Sequence, residues 1–174
     1  MVNNKTRKLR SKSKNPLEHH HVLVRFETMS CPSESEKDQA MSKIKSLLTD
    51  ISMNLLAGPH GYYVNEPRWN EGLTVIAPIQ TSHIAFHFWK HPVKWILHHP
   101  ASKCLLQLDI YTCGSLTGTQ IARVLGEFSS YGPTHVDTTL LNRQMTLYID
   151  RQRKWDVRSP KSWDTWLQEI AAER

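Results

Sequence analysis

Alternating apolar and polar positions begin at Val22-Leu23-Val24-Arg25-Phe26, the two-residue period of a strand with one buried face. Behind it, Ser33 and Glu36 stand at capping-box spacing. Met41, Ile44, Leu48, Ile51 and Leu55 then recur at helical intervals as far as Gly58-Pro59, which predicts one long amphipathic helix over 33–55. Short strand-like runs follow at 62–64, 73–77, 84–88 and 105–111, the last closed by Thr112-Cys113-Gly114. A second helix is predicted over 119–128, with Ile121, Val124, Leu125 and Phe128 facing inward. A strand pair is predicted at 136–141 and 145–149. Ser159-Pro160-Lys161-Ser162 starts a third helix with Trp163, Trp166, Leu167 and Ile170 on one face. This order argues an α+β fold: a two-layer sandwich, an antiparallel β-sheet with helices packed on one face.

A chain of 174 residues fits one domain. Residues 17–149 form the expected body, and 150–174 form a helical extension whose Trp155, Trp163 and Trp166 dock on it. The net charge of +6 is a property of the tail: the first 17 residues hold six of the 22 lysines and arginines and no acid, which leaves the remainder neutral. Residues 1–16 are expected to be disordered, as a solvated arm or as a weak contact for nucleic acid or anionic surfaces. No apolar run has membrane-spanning length, and no apolar stretch follows the basic start as in a secretory signal. Cys31, Cys104 and Cys113 are odd in number and not closely spaced, which suggests a reducing, cytoplasmic setting. His19-His20-His21 leads straight into a strand, and no metal site is expected. Gly-rich phosphate loops, paired carboxylates and internal repeats are all missing from the sequence.

The chemistry concentrates between Thr74 and Gly114. Residue types alone leave His87 an ordinary strand residue and Cys113 an ordinary buried thiol. Taken together, Ser82-His83-Ile84-Ala85-Phe86-His87-Phe88-Trp89 and Asp109-Ile110-Tyr111-Thr112-Cys113-Gly114 resemble the short bacterial and archaeal S-adenosylmethionine decarboxylases. The likeness runs over about residues 17–149. It includes Gly72-Leu73-Thr74 on the approach strand and an apolar strand ending in Arg143. Decarboxylation needs an electron sink next to the α-carbon. The resemblance implies one made from the chain itself: Ser82 attacks the carbonyl of Thr81, the backbone is cut there, and Ser82 becomes a pyruvoyl group. It further implies His87 as the processing base, reaching back to the turn at 81–83, and Thr74 as a hydroxyl that assists. Cys113 becomes the proton donor in turnover, Trp69 and Phe26 become aromatic surfaces for the substrate, and the working unit becomes a homodimer of cleaved protomers. The product expected is the aminopropyl donor of polyamine synthesis.

Three features depart from the family. Thr81 stands where it has Glu, Lys90-His91-Pro92 replaces Pro-Glu, and the stretch from Ser82 to Cys113 is longer, the excess falling in 90–103. The lost carboxylates keep open another substrate, such as ornithine or arginine, or an uncleaved regulatory relative. The long segment is expected either to reshape the pocket or to form a surface hairpin.

Overall fold

The computed structural model describes residues 19–144 and 147–173; the predicted tail over 1–16 lies outside them. Seven strands form one sheet: β1 (His20–Thr28), β2 (His60–Val64), β3 (Gly72–Ile79), β4 (Ser82–Trp89), β5 (Cys104–Thr112), β6 (Pro133–Asn142) and β7 (Tyr148–Asp156). Their order is β2-β3-β4-β5-β1-β6-β7, and every pairing is antiparallel. Three helices, α1 (Lys37–Asp50), α2 (Gly118–Glu127) and α3 (Trp163–Ala171), join the same hydrophobic core. The expected α+β architecture is the observed one.

Alternation sorts the side chains. Val22, Val24 and Phe26 of β1, Ile84, Phe86 and Phe88 of β4, and Leu106, Leu108 and Ile110 of β5 are buried with the helices. Each such side chain taken from water contributes about 1.5–3 kcal/mol. The opposite face is left more open, with Leu23 38% and Ile76 43% exposed. Helix α2 starts at Thr117, which exchanges hydrogen bonds with Gln120, and α3 starts at Ser162, whose hydroxyl accepts Thr165 N–H at 3.1 Å. The two helices approach at Gly118, where a Cβ would meet the carbonyl oxygens of Ile170 and Glu173. Trp163 and Trp155, 5.1 Å apart, complete the docking of the C-terminal segment.

Two predicted boundaries move. Helix α1 ends well before Leu55, because Ser52 adopts a left-handed φ of 58°. There Met53 N–H reaches Leu48 O at 2.8 Å and Ser52 N–H reaches Thr49 O at 3.0 Å. These are the bonds of a Schellman cap without its usual glycine. Leu55 bridges Ile79 of β3 instead. The strand expected at 145–149 begins at Tyr148 and runs on to Asp156, so the extension over 150–174 adds a seventh strand before its helix. Residues 145 and 146 lie outside the described residues.

The long segment over 90–103 is neither a hairpin nor a wall of the sheet's cavity. It makes a 3-10 turn at Lys94–Ile96, with Trp95 85% exposed, and is tied to β1 by one carboxylate. Glu27, fully buried, accepts from Arg25 Nη1 (2.7 Å), the backbone N–H of His98 (2.8 Å) and the hydroxyl of Ser102 (2.8 Å). Burial alone would raise its pKa. The bonds from Arg25, His98 and Ser102 outweigh that and hold the pKa at about 2.

Candidate active site

The β3–β4 hairpin turns through Gln80 and Thr81, with Ile79 paired to Ser82. Its tip is held by the chain that leaves the shortened α1: Gln80 N–H donates to Asn54 O (2.9 Å) and Leu56 N–H to Pro78 O (3.0 Å). Early termination of α1 therefore positions the expected cleavage point. Ser82 has a φ of 154°, at the edge of a region that side-chain-bearing residues avoid and that costs on the order of 1–3 kcal/mol.

Register with β5 sets Ser82 against Thr112 and Cys113 beside Thr81. The backbone N–H of Cys113 donates to the Thr81 carbonyl at 2.9 Å, and Thr112 Oγ1 donates to Thr81 Oγ1 at 2.8 Å. The carbonyl that would be attacked is thus already polarised by a fixed donor. Ser82 Oγ lies 3.1 Å from His83 Nδ1, His83 Nε2 lies 3.2 Å from Asp109 Oδ1, and His21 Nε2 lies 2.9 Å from Asp109 Oδ2. Arg143 closes the chain, 3.2 Å from His21 Nδ1 and stacked 4.4 Å above Tyr111. Sequence reasoning assigned no role to His83, Asp109 or His21. Each lies inside a segment it singled out, but their meeting depends on the β1–β5–β4 register, which no local pattern encodes.

The other expected residues divide. Thr81, Ser82 and Cys113 come together at one end of the sheet. Thr74 and His87 come together elsewhere, paired across β3 and β4, with the Thr74 hydroxyl hydrogen-bonded to His87 Nδ1. The expected reach of His87 back to the turn does not occur within the chain. Five residues of extended strand separate it from Ser82 by about 16 Å, and the two fall in opposite rows of β4. His87 Nε2 is buried without a partner, and burial lowers the ring's pKa, so neutral imidazole is favoured. Thr74 and His87 face a cavity of about 430 Å³ on the open side of the sheet, which Arg25, Asp109 and Asp137 also line.

Neither expected aromatic surface joins the Ser82 end. Phe26 is fully buried on the helix side, packed on Phe128 (5.6 Å) and Trp163 (6.2 Å), so its ring has no face to offer. Trp69 is 72% exposed but precedes β3, a strand's length from the turn. Glu71 takes up the positive charge of Lys90 at 2.5 Å and hydrogen-bonds His91 Nε2 at 3.0 Å.

One cluster has metal-ligand composition: donor atoms of His98, His135 and Asp137 lie within 4.8 Å of one another. The two rings stack, however, 4.3 Å apart and 16° from parallel, so a single ion cannot lie in both ring planes. Glu27 takes His98 Nδ1 at 2.7 Å, and Asp156 takes His135 Nδ1 at 3.2 Å. The cluster's hydrogen bonds tie His98 to β1 and His135 to β7, and the stacked rings bring the 90–103 segment against β6.

Among the described residues no helix is long and apolar enough to cross a membrane. No curated protein matches the chain. The sequence model of S-adenosylmethionine decarboxylase matches residues 20–144, from the first residue of β1 to just past β6. That span covers the hairpin, the Ser82 and Cys113 strand ends and the Thr74–His87 pair, and on it the chain belongs to the S-adenosylmethionine decarboxylase family.

Proposed function

We propose that the chain cuts itself between Thr81 and Ser82, turns Ser82 into a pyruvoyl group and decarboxylates S-adenosylmethionine, supplying the aminopropyl donor of polyamine synthesis. The observation that carries this reading is the scissile carbonyl itself: Thr81 O is held by Cys113 N–H beside a Ser82 of unusual φ. These residues fit the group, with a hydroxyl next to a polarised carbonyl and a thiol at the adjoining strand end. The pyruvoyl carbonyl supplies an electrophile for the substrate amine and a sink for the electrons left by carbon dioxide. Cys113 returns a proton to the α-carbon, a task suited to a thiol at the adjoining strand end. Asp109 and Asp137 on the cavity offset the carboxylate lost at Thr81 and give the sulfonium a counter-charge.

His87, neutral and with a free buried nitrogen, is the base that removes the Ser82 α-proton. The distance along β4 requires that it serve a second copy, so the open sheet faces of two protomers meet and each completes the other's site. Denaturing electrophoresis with intact mass tests the reading. The 20.2 kDa chain should resolve into a fragment ending at Thr81 and one starting with a blocked residue 82, and Ser82→Ala should stay whole. Co-expressed Ser82→Ala and His87→Ala chains should restore cutting of the His87→Ala chain. A wild-type chain that stays whole overturns the reading.

A further inference from the structure

Self-processing begins with a step to which the reading above assigns no base. The Ser82 hydroxyl must lose its proton as it attacks Thr81; within the chain His87 is too distant along the strand to take it, and the His87 of a second copy is assigned to the later α-proton. We propose that His83, oriented by Asp109, is the base for this first step; the inference rests on the self-processing reading.

Neighbouring strand residues normally point to opposite faces, yet Ser82 Oγ and His83 Nδ1 are 3.1 Å apart, an approach that accompanies the φ of 154° at Ser82. Proton bookkeeping then assigns the tautomer. An ionised carboxylate only accepts, so His83 Nε2, 3.2 Å from Asp109 Oδ1, carries the ring hydrogen. That leaves Nδ1 as a lone pair directed at the Ser82 hydroxyl. The second ring obeys the same rule. Arg143 only donates, so His21 Nδ1 accepts from it and His21 Nε2–H donates to Asp109 Oδ2 at 2.9 Å. Asp109 is therefore held from two sides and holds His83 in the base-competent form. The arrangement follows the logic of a serine–imidazole–carboxylate triad, with the two ring nitrogens exchanged.

The step balances as an isomerisation. The Ser82 Oγ–H proton passes to His83 Nδ1 as the bond from Oγ to the Thr81 carbonyl carbon forms. The negative oxygen that develops is the one already bonded to Cys113 N–H. The Thr81–Ser82 C–N bond then breaks, and the proton on His83 goes to the departing nitrogen, leaving an ester and a free amine. His83 acts on the hydroxyl and His87 on the α-proton, so the two histidines divide the pathway at the ester.

Hydroxylamine reads that division, because it cleaves an ester and spares an amide. Full-length chain made by cell-free synthesis is followed over time by intact mass, with and without hydroxylamine. His87→Ala should accumulate a chain that hydroxylamine splits at 81/82. His83→Gln should stay whole and resistant, with ester formation slowed by about 100-fold or more. His83→Gly should regain splitting with added imidazole. As a positioning residue, Asp109 should show itself in the pH profile: Asp109→Asn should slow ester formation and displace its pH dependence, and Asp109→Glu should recover part of the rate. Ester formation at the wild-type rate in His83→Gln, or no response of His83→Gly to imidazole, overturns the assignment alone. A wild-type chain that neither splits nor responds to hydroxylamine overturns this assignment and the self-processing reading together.

Discussion

Replacing Glu27 by Gln keeps the shape of a buried side chain and removes its charge. In the native chain the carboxyl sits at a pKa of about 2 against an ordinary 4.5. At 1.36 kcal/mol per unit, that difference is worth about 3 kcal/mol of stability at neutral pH. The sign follows from the direction of the shift. A depressed pKa gives stability that is complete above 4.5 and is lost as pH falls from there through about 2. Urea unfolding of both proteins at pH 7, 4.5, 3 and 2 isolates the contribution, since all other carboxyls are common to the pair. The gap should be about 3 kcal/mol at pH 7, hold to about 4.5 and close toward 2. Limited proteolysis should find the 90–103 segment newly open in Glu27→Gln, because Arg25, His98 and Ser102 share two acceptor oxygens in the native chain and the amide keeps only one, setting an NH2 donor against the others. A gap that persists unchanged at pH 2 would show that packing, and not charge, accounts for the loss.

Further outcomes follow from single contacts. Gly72→Ala drives a Cβ into the Phe88 carbonyl across the β3–β4 pair, and the urea midpoint should fall by the equivalent of about 3 kcal/mol. Burial pushes the Tyr131 hydroxyl up to about 12. Its contribution to stability is therefore whole below its ordinary pKa of 10 and lost between 10 and about 12, and Tyr131→Phe should flatten that alkaline limb of the unfolding curve. Cys113→Ser should still cut between Thr81 and Ser82, because the bond to Thr81 comes from the backbone. Its release of carbon dioxide should fall by about 100-fold, measured with carboxyl-labelled substrate.

Periodicity located β1, β3, β4, β5, β6, α2 and α3 because each presents an apolar face to the core, whereas it places β7, in which Trp155 alone is buried, too early at 145–149. The end of α1 was not legible: Met41, Ile44, Leu48 and Ile51 keep helical spacing up to the cap, Leu55 continues it beyond, and the residue that stops the helix is a serine in a conformation usually reserved for glycine. Phe26 shows a different limit. Its place in the first strand was read correctly, but whether that row faces helices or ligand depends on the layer packed against it. Ser82, Thr81 and Cys113 were legible through two motifs, and the sheet gathers them. His83–Asp109–His21 was not, because three strands distant in sequence must align before the chain of bonds exists. Glu27, an acid in an alternating strand, gave no sign that it would be sealed beneath a loop some seventy residues on.

The strand order has a consequence for the life of the molecule. A nick at the hairpin tip divides the sheet into two interleaved chains, for β1 of the first piece lies between β5 and β6 of the second. Neither piece can depart without unzipping ladders on both of its sides, so the severed protein keeps its shape while it is folded. Once melted, however, it must reassemble by collision between strangers, at a rate that dilution slows. If the chain is cut as proposed, folding has to come first and the cut second, and heat after the cut erases what heat before it would only interrupt.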